Sequence, residues 1–365
     1  MNILVLTSSN DSFNSVRPEL EIYISLAKAG HNITLMTQKE SAYSARFDKY
    51  KIDIIDTTFN KKISIKSIKL IKKTIKEKNI DIIYATNSRA ISNATFACVA
   101  TKVKLVSYRG TTGGLYRHDP SSYLNALNPR VDGVICVSQA VTNHVSKQVF
   151  SKSKKIVTIY KGHDVSWYNQ MPTNLDEFNT NSNNFNVAFV ANVRPHKGLI
   201  YVIKAAYELA DLENLHILLI GNKISQEPYL SEIKNSGMEN RIHVTGYRSD
   251  VPQIIAASDV LIHASTRKEG LPRVILESLA SKTPVIASAN ESSLEIIEDD
   301  VNGFIVPIKD AKAIAQKTRL LYNSPETLER LTANSQNIIN DKLSHKATAE
   351  KYIEYFESLL RESND

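Results

Sequence analysis

The sequence predicts an α/β protein made of two doubly wound domains, each with a parallel sheet covered by helices. Three observations carry this. Val- and Ile-rich apolar runs recur at intervals too wide for hairpins, segments of helical apolar spacing lie between several of them, and the alternation breaks once and then restarts.

The runs of the first half are ILVLT (3–7), ITLMT (33–37), DIIDT (53–57), DIIYAT (81–86), KLVSY (104–108), GVICVS (133–138) and IVTIY (156–160). They are apolar at successive positions, as strands buried on both faces must be. In PELEIYISLAKAG, residues 20, 24 and 27 keep helical spacing and Gly30 is placed to close the helix. The segment 165–184, VSWYNQMPTNLDEFNTNSNN, is polar, asparagine-rich and interrupted by proline, and is expected to be a linker. Alternation then resumes with NVAFVAN (186–192), LHILLIG (215–221), RIHVTGY (241–247), DVLIHAS (259–265), TPVIAS (283–288) and GFIVP (303–307). The expected organisation is therefore an N-terminal domain over 1–165, a C-terminal domain over 185–345, and a last helix over 346–365 that packs back on the first domain. Open α/β sheets bind ligands outside the carboxyl ends of their strands, so a cleft between two such domains is the expected site.

A chain of 365 residues with 42% apolar content can bury two cores, which excludes a disordered or fibrous protein. Cys98 and Cys136 both lie in apolar runs, so a disulfide framework is not expected and a reducing compartment fits. With no charged-then-apolar leader and no long uninterrupted apolar stretch, the chain reads as cytoplasmic and not membrane-spanning. Charge is divided unevenly: residues 1–165 carry 25 Lys and Arg against 12 Asp and Glu, and residues 166–365 carry 20 against 26. A basic first half suits nucleic acid, an anionic membrane or a phosphorylated substrate, and net charge alone does not choose among them.

Two segments carry chemistry. In DVLIHASTRKEGLPRVILESLA, a strand turns into a helix with Pro272 near its first turn, where proline is tolerated. The free N–H groups around Leu271 to Val274 and the positive end of the helix dipole suit an anion such as a diphosphate. Arg273 opposes that dipole, a conflict that a bound anion would remove. Glu269 and Glu277 flank the helix start and can accept from hydroxyls at the two ends of such a ligand, which would suit a nucleotide sugar. Spacing alone leaves equally open that Glu269 caps the helix and Glu277 is solvated. In AFVANVRPHKGLIYVIKAAYEL, a strand ends at Asn192 and a basic loop with Arg194, His196 and Lys197 precedes Gly198 and a helix. Cations at a strand's carboxyl end again suit phosphate, although an ordinary exposed loop also fits.

Taken together and in this order, with GYRSDVPQIIAASDVLIHAS before EGLPRVILE and GFIVPIKDAKAIAQ after it, these segments resemble the retaining glycosyltransferases of family 4, also called group 1. The resemblance covers about 186–308. It implies the GT-B fold, two Rossmann-like domains facing across a cleft. It also implies that Glu269 contacts sugar hydroxyls of the donor, Glu277 the ribose, and Lys197 the diphosphate. Gly246 and Tyr247 are expected near the base, with Gly270, Leu271, Pro272 and Arg273 near the phosphates and sugar. Where the family commonly has Gly-Arg this chain has Ala191-Asn192, so Asn192 stands at the donor site and Arg194 is expected to substitute from two positions along. Glu291-Ser292 replaces the family's usual glycine pair.

The first half offers weaker candidates. The loop TSSNDSFNSVRPE (7–19) has no glycine and supplies Ser9, Asn10, Asn14 and Arg17 on the acceptor side. In VKLVSYRGTTGGLYRHDP, Arg109 ends a strand where the family often has an active-site histidine. Gly110, Gly113 and Gly114 would let a ligand approach the backbone, and Arg117 and His118 suit an acidic acceptor. In NKKISIKSIKLIKKTIKEKN (60–79), residues 65, 68, 71 and 75 are expected to cover the sheet, with lysines 66, 69, 72, 73 and 76 elsewhere. That basic face is either merely solvated or rests on anionic lipid.

The resemblance implies glycosyl transfer with retention, in which the leaving diphosphate helps deprotonate the incoming hydroxyl and Lys197, Arg194 and the helix start stabilise its charge. No Asp-x-Asp and no paired Cys/His spacing occurs, so no metal or other cofactor is expected. The expected partners are a UDP- or GDP-sugar and a glycan or lipid-linked acceptor, with peripheral contact to an anionic membrane and no nucleic acid. The setting implied is bacterial cell-envelope polysaccharide synthesis. A sugar-nucleotide epimerase or hydrolase, or a non-catalytic sugar-nucleotide-binding subunit, is the alternative.

Overall fold

Apolar strands with no polar face require cover on both sides, and the intervening helices supply it. The computed structural model describes residues 1–8, 13–39, 43–151, 154–267 and 269–361. Among them all thirteen expected strands form, in two separate parallel sheets. The chain divides into two compact units, Met1–Gly162 with His345–Asp365, and His163–Ser344.

In the first unit the chain runs β1 (Asn2–Leu6), α1 (Phe13–Lys28), β2 (Asn32–Thr37), α2 (Ser44–Lys49), β3 (Asp53–Asp56), α3 (Ile65–Glu77), β4 (Ile82–Ala85), α4 (Ser88–Ala97), β5 (Lys104–Arg109), β6 (Gly133–Cys136), α5 (Gln139–Gln148) and β7 (Lys155–Thr158). Its strand order is β3-β2-β1-β4-β5-β6-β7, so the winding reverses between β1 and β4. The second unit runs β8 (Phe185–Val190), α6 (Leu199–Tyr207), β9 (Leu215–Ile220), α7 (Tyr229–Asn235), β10 (Ile242–Gly246), α8 (Val251–Ala256), β11 (Val260–His263), α9 (Arg273–Ala280), β12 (Val285–Ser288), β13 (Gly303–Val306), α10 (Ala311–Asn323), α11 (Pro325–Asn334) and α12 (Asn337–Asp341). Its order, β10-β9-β8-β11-β12-β13, reverses between β8 and β11. The loops after the strands at each reversal are the positions from which side chains converge on a ligand.

The last helix, α13 (His345–Arg361), belongs to the first unit. Tyr352, Tyr355, Phe356 and Leu359 enter the same core as Tyr23 and Tyr84. The Tyr84 and Tyr352 hydroxyls are 2.9 Å apart, and Tyr355 donates to the Lys155 carbonyl at 2.8 Å. Gly133 is required here, because a Cβ would lie 2.0 Å from the Tyr355 hydroxyl.

Three local expectations change. The polar segment 165–184 is part of the second unit: Leu175 and Phe178 are buried, Arg248 pairs with Glu177 at 3.1 Å, and Thr173 donates to Asp250 at 3.2 Å. Its asparagines serve turns, as where Asn174 accepts from the Asp176 amide. Helix α1 begins at Phe13, earlier than the PELEIY pattern suggests, so Asn14 and Arg17 lie on a helix and not in a loop. Pro18 lies inside the helix, past the first turn, so its missing N–H removes one i to i−4 backbone bond from α1. Helix α3 is turned relative to the expected face: Ser67, Ile71 and Thr74 are buried, whereas Ile65 is 72% exposed. Two small polar residues win the inner face because α3 packs closely on α4, where the Asn93 side chain accepts from the Ser64 amide and donates to the Lys61 and Lys62 carbonyls.

Candidate active site

At the reversal of the second unit, the loop after β8 carries Lys197 and the loop after β11 carries Glu269. Lys197 Nζ donates to Glu269 Oε1 at 2.7 Å. The approach is possible because Gly198 has φ +75° and no side chain: a Cβ there would lie 2.1 Å from the Ala264 carbonyl oxygen. Thr266 donates its backbone N–H to the His196 carbonyl at 2.8 Å, fastening the two loops to each other. From the next strand end, Asn290 donates to the Ser265 carbonyl at 3.1 Å and Ser292 to the Glu269 carbonyl at 3.2 Å. Of Glu291-Ser292, the pair expected to replace two glycines, Ser292 therefore holds the glutamate loop in place, together with the neighbouring Asn290.

His263, the last residue of β11, is 5% exposed, and its Nε2 lies 4.0 Å from Glu269 Oε1 with no hydrogen-bond partner. Burial pushes its pKa down to about 4, with Lys197 adding repulsion and Glu269 opposing, so it is neutral at neutral pH. For Glu269, burial raises the pKa, but the charge and hydrogen bond of Lys197 outweigh it and hold the carboxyl below its ordinary range. The result is an ionised carboxylate, a paired ammonium and an unpartnered imidazole nitrogen within one buried corner.

Helix α9 starts beside this corner with Pro272 at its cap position and no side-chain cap on its first N–H groups. Gly270 and Pro272 are buried and Leu271 is half-buried. Here the structure changes the reading of Arg273. Its Nε lies 3.0 Å from Glu277 Oε1, so the anion that offsets its position in the first turn is supplied one turn along the same helix. Glu277 is itself 4% exposed, and burial raises its pKa against the pull of Arg273. The remaining second-unit candidates surround the strand ends. Asn192 and Arg194 are exposed, Tyr247 is 60% exposed, and Gly246 has φ +72° with nothing near its missing Cβ, so the backbone turn there is what requires glycine.

In the first unit the reversal is occupied by side chains that the sequence did not single out. Thr7 after β1 donates to Glu19 Oε1 at 2.8 Å, and Thr86 after β4 donates to the Thr7 hydroxyl at 2.9 Å. Glu19 also accepts from Tyr23 at 2.6 Å and from Lys161 at 2.5 Å, and the Lys161 ammonium lies 4.2 Å from the centre of the Tyr108 ring. Burial raises the Glu19 pKa, and Lys161, Tyr23 and Thr7 together bring it below the ordinary value.

The basic candidates of this unit are committed elsewhere. Arg109 donates Nε to the Thr111 carbonyl at 3.0 Å and a terminal nitrogen to the Gly113 carbonyl, closing its own loop; burial lowers its pKa. Gly110 follows with its missing Cβ against the Tyr108 ring at 3.1 Å. Arg117 donates to the Gln148 carbonyl at 2.9 Å and the Val149 carbonyl at 3.3 Å, covering the C-terminal end of α5, and lies over the Phe150 ring. His118 is exposed and stacks on Tyr116 with ring centres 5.3 Å apart. Arg17 lies over the Phe13 ring at 5.4 Å. Ser9 and Asn10 lie outside the described residues.

Sequence reasoning missed His263, Asn290, Glu19 and Lys161. A strand-end histidine in an apolar run reads as core, and the Glu19–Lys161 pair joins residues 142 apart with no motif to flag it. Among the described residues no three His, Cys, Asp or Glu side chains gather in a way that could hold a metal ion.

The second half matches the family model for glycosyl transferases group 1 over residues 170–338, and the first half matches glycosyltransferase family 4 over 20–167. The chain is 30% identical over 148 residues to the putative glycosyltransferase EpsD of Bacillus subtilis, an alignment covering 40% of this chain and 39% of that protein. It is 26% identical over 162 residues to LpsE of Rhizobium meliloti, a lipopolysaccharide core biosynthesis glycosyltransferase, covering 44% and 46% respectively. The chain thus spans less than half the length of these two relatives. The fold matches HepE of Anabaena, solved in complex with UDP, at 22% identity and a TM-score of 0.78 over 98% of this chain and all of that one. With its two halves matched in order by these two family models and its two parallel sheets matching that structure, the chain belongs to the group 1, family 4 glycosyltransferases of GT-B fold.

Proposed function

We propose that this protein transfers a glycosyl group, with retention of configuration, from a UDP- or GDP-sugar to a hydroxyl of a glycan or lipid-linked acceptor. The observation that carries the reading is the Lys197–Glu269 pair, 2.7 Å long, beside the uncapped start of α9. A buried carboxylate next to free N–H groups and a cation suits a ligand with hydroxyls on one side and phosphate on the other. That HepE binds UDP supports a nucleotide donor, and the role of LpsE supports cell-envelope polysaccharide synthesis as the setting.

On this reading Glu269, held ionised by Lys197, accepts from sugar hydroxyls and fixes the position of the anomeric carbon. Lys197, Arg194 and the backbone at Leu271 to Val274 take up charge on the departing diphosphate, which accepts the proton of the incoming hydroxyl. The diphosphate oxygen leaves as the acceptor oxygen bonds to the anomeric carbon on the same face, so the configuration is kept. Glu277 positions Arg273 at the helix start, and its exposure of 4% makes ribose contact dependent on a shift of the Arg273 side chain. Gly246 and Tyr247 lie on the base side, and Gly110 and His118 border the acceptor side. No metal is required, and the protein works in the cytoplasm at the inner membrane face.

The test is a thermal-shift panel of nucleoside diphosphates and nucleotide sugars, followed by product analysis with and without acceptor. UDP or GDP and their sugars should raise the melting temperature, and activity should survive EDTA. No shift with any nucleotide, or donor conversion that needs no acceptor, would overturn transfer; loss of activity in EDTA with recovery in manganese would overturn metal independence.

A further inference from the structure

Helix α3 presents to solvent a stripe that its packing does not explain. Residues 65, 69, 72 and 76 recur at helical spacing on the side opposite the buried Ser67, Ile71 and Thr74, and they are Ile, Lys, Lys and Lys. Lys66 and Lys73 are also exposed beside the stripe, and the helix holds a single acid, Glu77, which pairs with Lys73 at 3.7 Å. Lys66, Lys69, Lys72 and Lys76 form no ion pair among the described residues.

At the head of this stripe two large apolar residues stand in water: Ile65 is 72% exposed and Ile63 49%. One exposed isoleucine needs no explanation, but here two flank the helix cap Ser64, the neighbouring helix α4 adds Phe96 at 37%, and Val99, just past the end of α4, is 56% exposed. Asn93 itself holds the Ile63 segment in place through the Lys61 and Lys62 carbonyls and the Ser64 amide, so the apolar pair is displayed on a fixed backbone. Because α3 follows β3 in a parallel sheet, its start lies at the carboxyl ends of the strands, the end that Thr7, Thr86 and Arg109 also occupy.

We propose that this face of the first unit docks on an anionic lipid bilayer, with Ile63 and Ile65 entering the interfacial layer and Lys66, Lys69, Lys72 and Lys76 resting on the lipid phosphates. Charge complementarity selects the occupant. A protein partner would need a matching acidic patch and would cover the isoleucines with a dry interface, whereas a bilayer offers dense negative charge above an apolar layer to a surface with the same vertical order. The docking deepens the lipid-linked-acceptor reading, since it would bring the acceptor end of this unit to the membrane surface. Its test uses neither donor nor acceptor, so it fails or succeeds apart from that reading.

The experiment is co-sedimentation of the full chain with vesicles of phosphatidylcholine alone and of phosphatidylcholine mixed with phosphatidylglycerol. The wild type should pellet with the anionic vesicles only, and release as salt screens the charges. The triple variant Lys69→Gln, Lys72→Gln, Lys76→Gln should partition roughly a hundredfold more weakly, about fivefold for each lysine removed. Ile63→Ser with Ile65→Ser should also reduce binding, while Lys204→Gln, an exposed lysine of the second unit, should leave it unchanged. Because all these side chains are exposed, circular dichroism and melting temperature should match the wild type. Equal pelleting with both vesicle types, or a triple variant that binds like the wild type, would overturn the proposal.

Discussion

Lys161–Glu19 in the first unit and Lys197–Glu269 in the second are both short lysine–carboxylate contacts at the carboxyl ends of a parallel sheet, 2.5 and 2.7 Å long, and they differ in what surrounds them. Glu19 accepts from Lys161, Tyr23 and Thr7, and Thr86 extends the chain of bonds, so each group at that reversal is spent on the protein. Around Glu269 the neighbouring His263 keeps a buried nitrogen without a partner, and the adjacent helix start has no side-chain cap. A saturated pair clamps strands to a helix. An undersaturated pair next to free donors is where a ligand can complete the bonding, because buried polar groups left without partners are costly and rare.

The contrast can be broken by exchanging the expected phenotypes. Lys197→Ala should lower turnover by about a hundred- to a thousandfold, the usual loss when one donor to a developing anion is removed, while the protein stays folded. Wild-type turnover in that variant would make the second pair structural like the first. Glu19→Ala should do the reverse, costing about 4 kcal/mol in urea denaturation because it leaves the Lys161 charge uncompensated, while the nucleotide-induced thermal shift persists. A stable Glu19→Ala protein that no longer responds to nucleotide would place the ligand at the first pair.

A third test uses pH. The folded-state pKa of His263 is about 4 and that of His243 is also about 4, both lowered chiefly by burial, against 6.5 when unfolded. The unfolded chain therefore binds more protons between these values, so stability is full above pH 6.5 and falls as pH drops toward 4. His263→Asn should flatten that slope by about 3 kcal/mol across the window, in denaturation curves taken from pH 7 to 4. An unchanged slope would mean that His263 is already protonated against Glu269. The smallest effect is expected at Arg117: replacing it with alanine removes bonds to the end of α5 and should cost less than about 1 kcal/mol, with turnover unchanged. A large loss of turnover there would return Arg117 to the acceptor site.

Much of the second unit was legible because its chemistry is local. Glu269 to Glu277 is one strand-to-helix turn, and Lys197 lies in the loop after the strand that neighbours it, so spacing alone brings the right residues to one end of a sheet. Arg273 also has a local partner: Glu277 stands four residues along the same helix, a spacing that makes the two side chains neighbours, and they meet at 3.0 Å, so no bound anion is needed to offset the arginine. In the first unit, the glycine- and arginine-rich loop after β5 looked like a ligand loop, yet Arg109 and Arg117 are turned to backbone carbonyls. A guanidinium with five donors can satisfy a loop as readily as a substrate, and residue type does not distinguish the two.

By itself the sequence determined the alternation of strands and helices, the two-sheet architecture and the family, because apolar periodicity and motif order are properties of a chain read in one dimension. The tertiary structure decided which polar groups are spent and which are left over. It turned α3 so that Ser67, Ile71 and Thr74 face inward and Ile65 outward, paired Glu19 with Lys161 across 142 positions, and left the Nε2 of His263 buried without a hydrogen-bond partner beside Glu269. Hydrogen-bond satisfaction is a sum over neighbours in space, and the neighbours of a buried side chain come from every strand and helix packed around it.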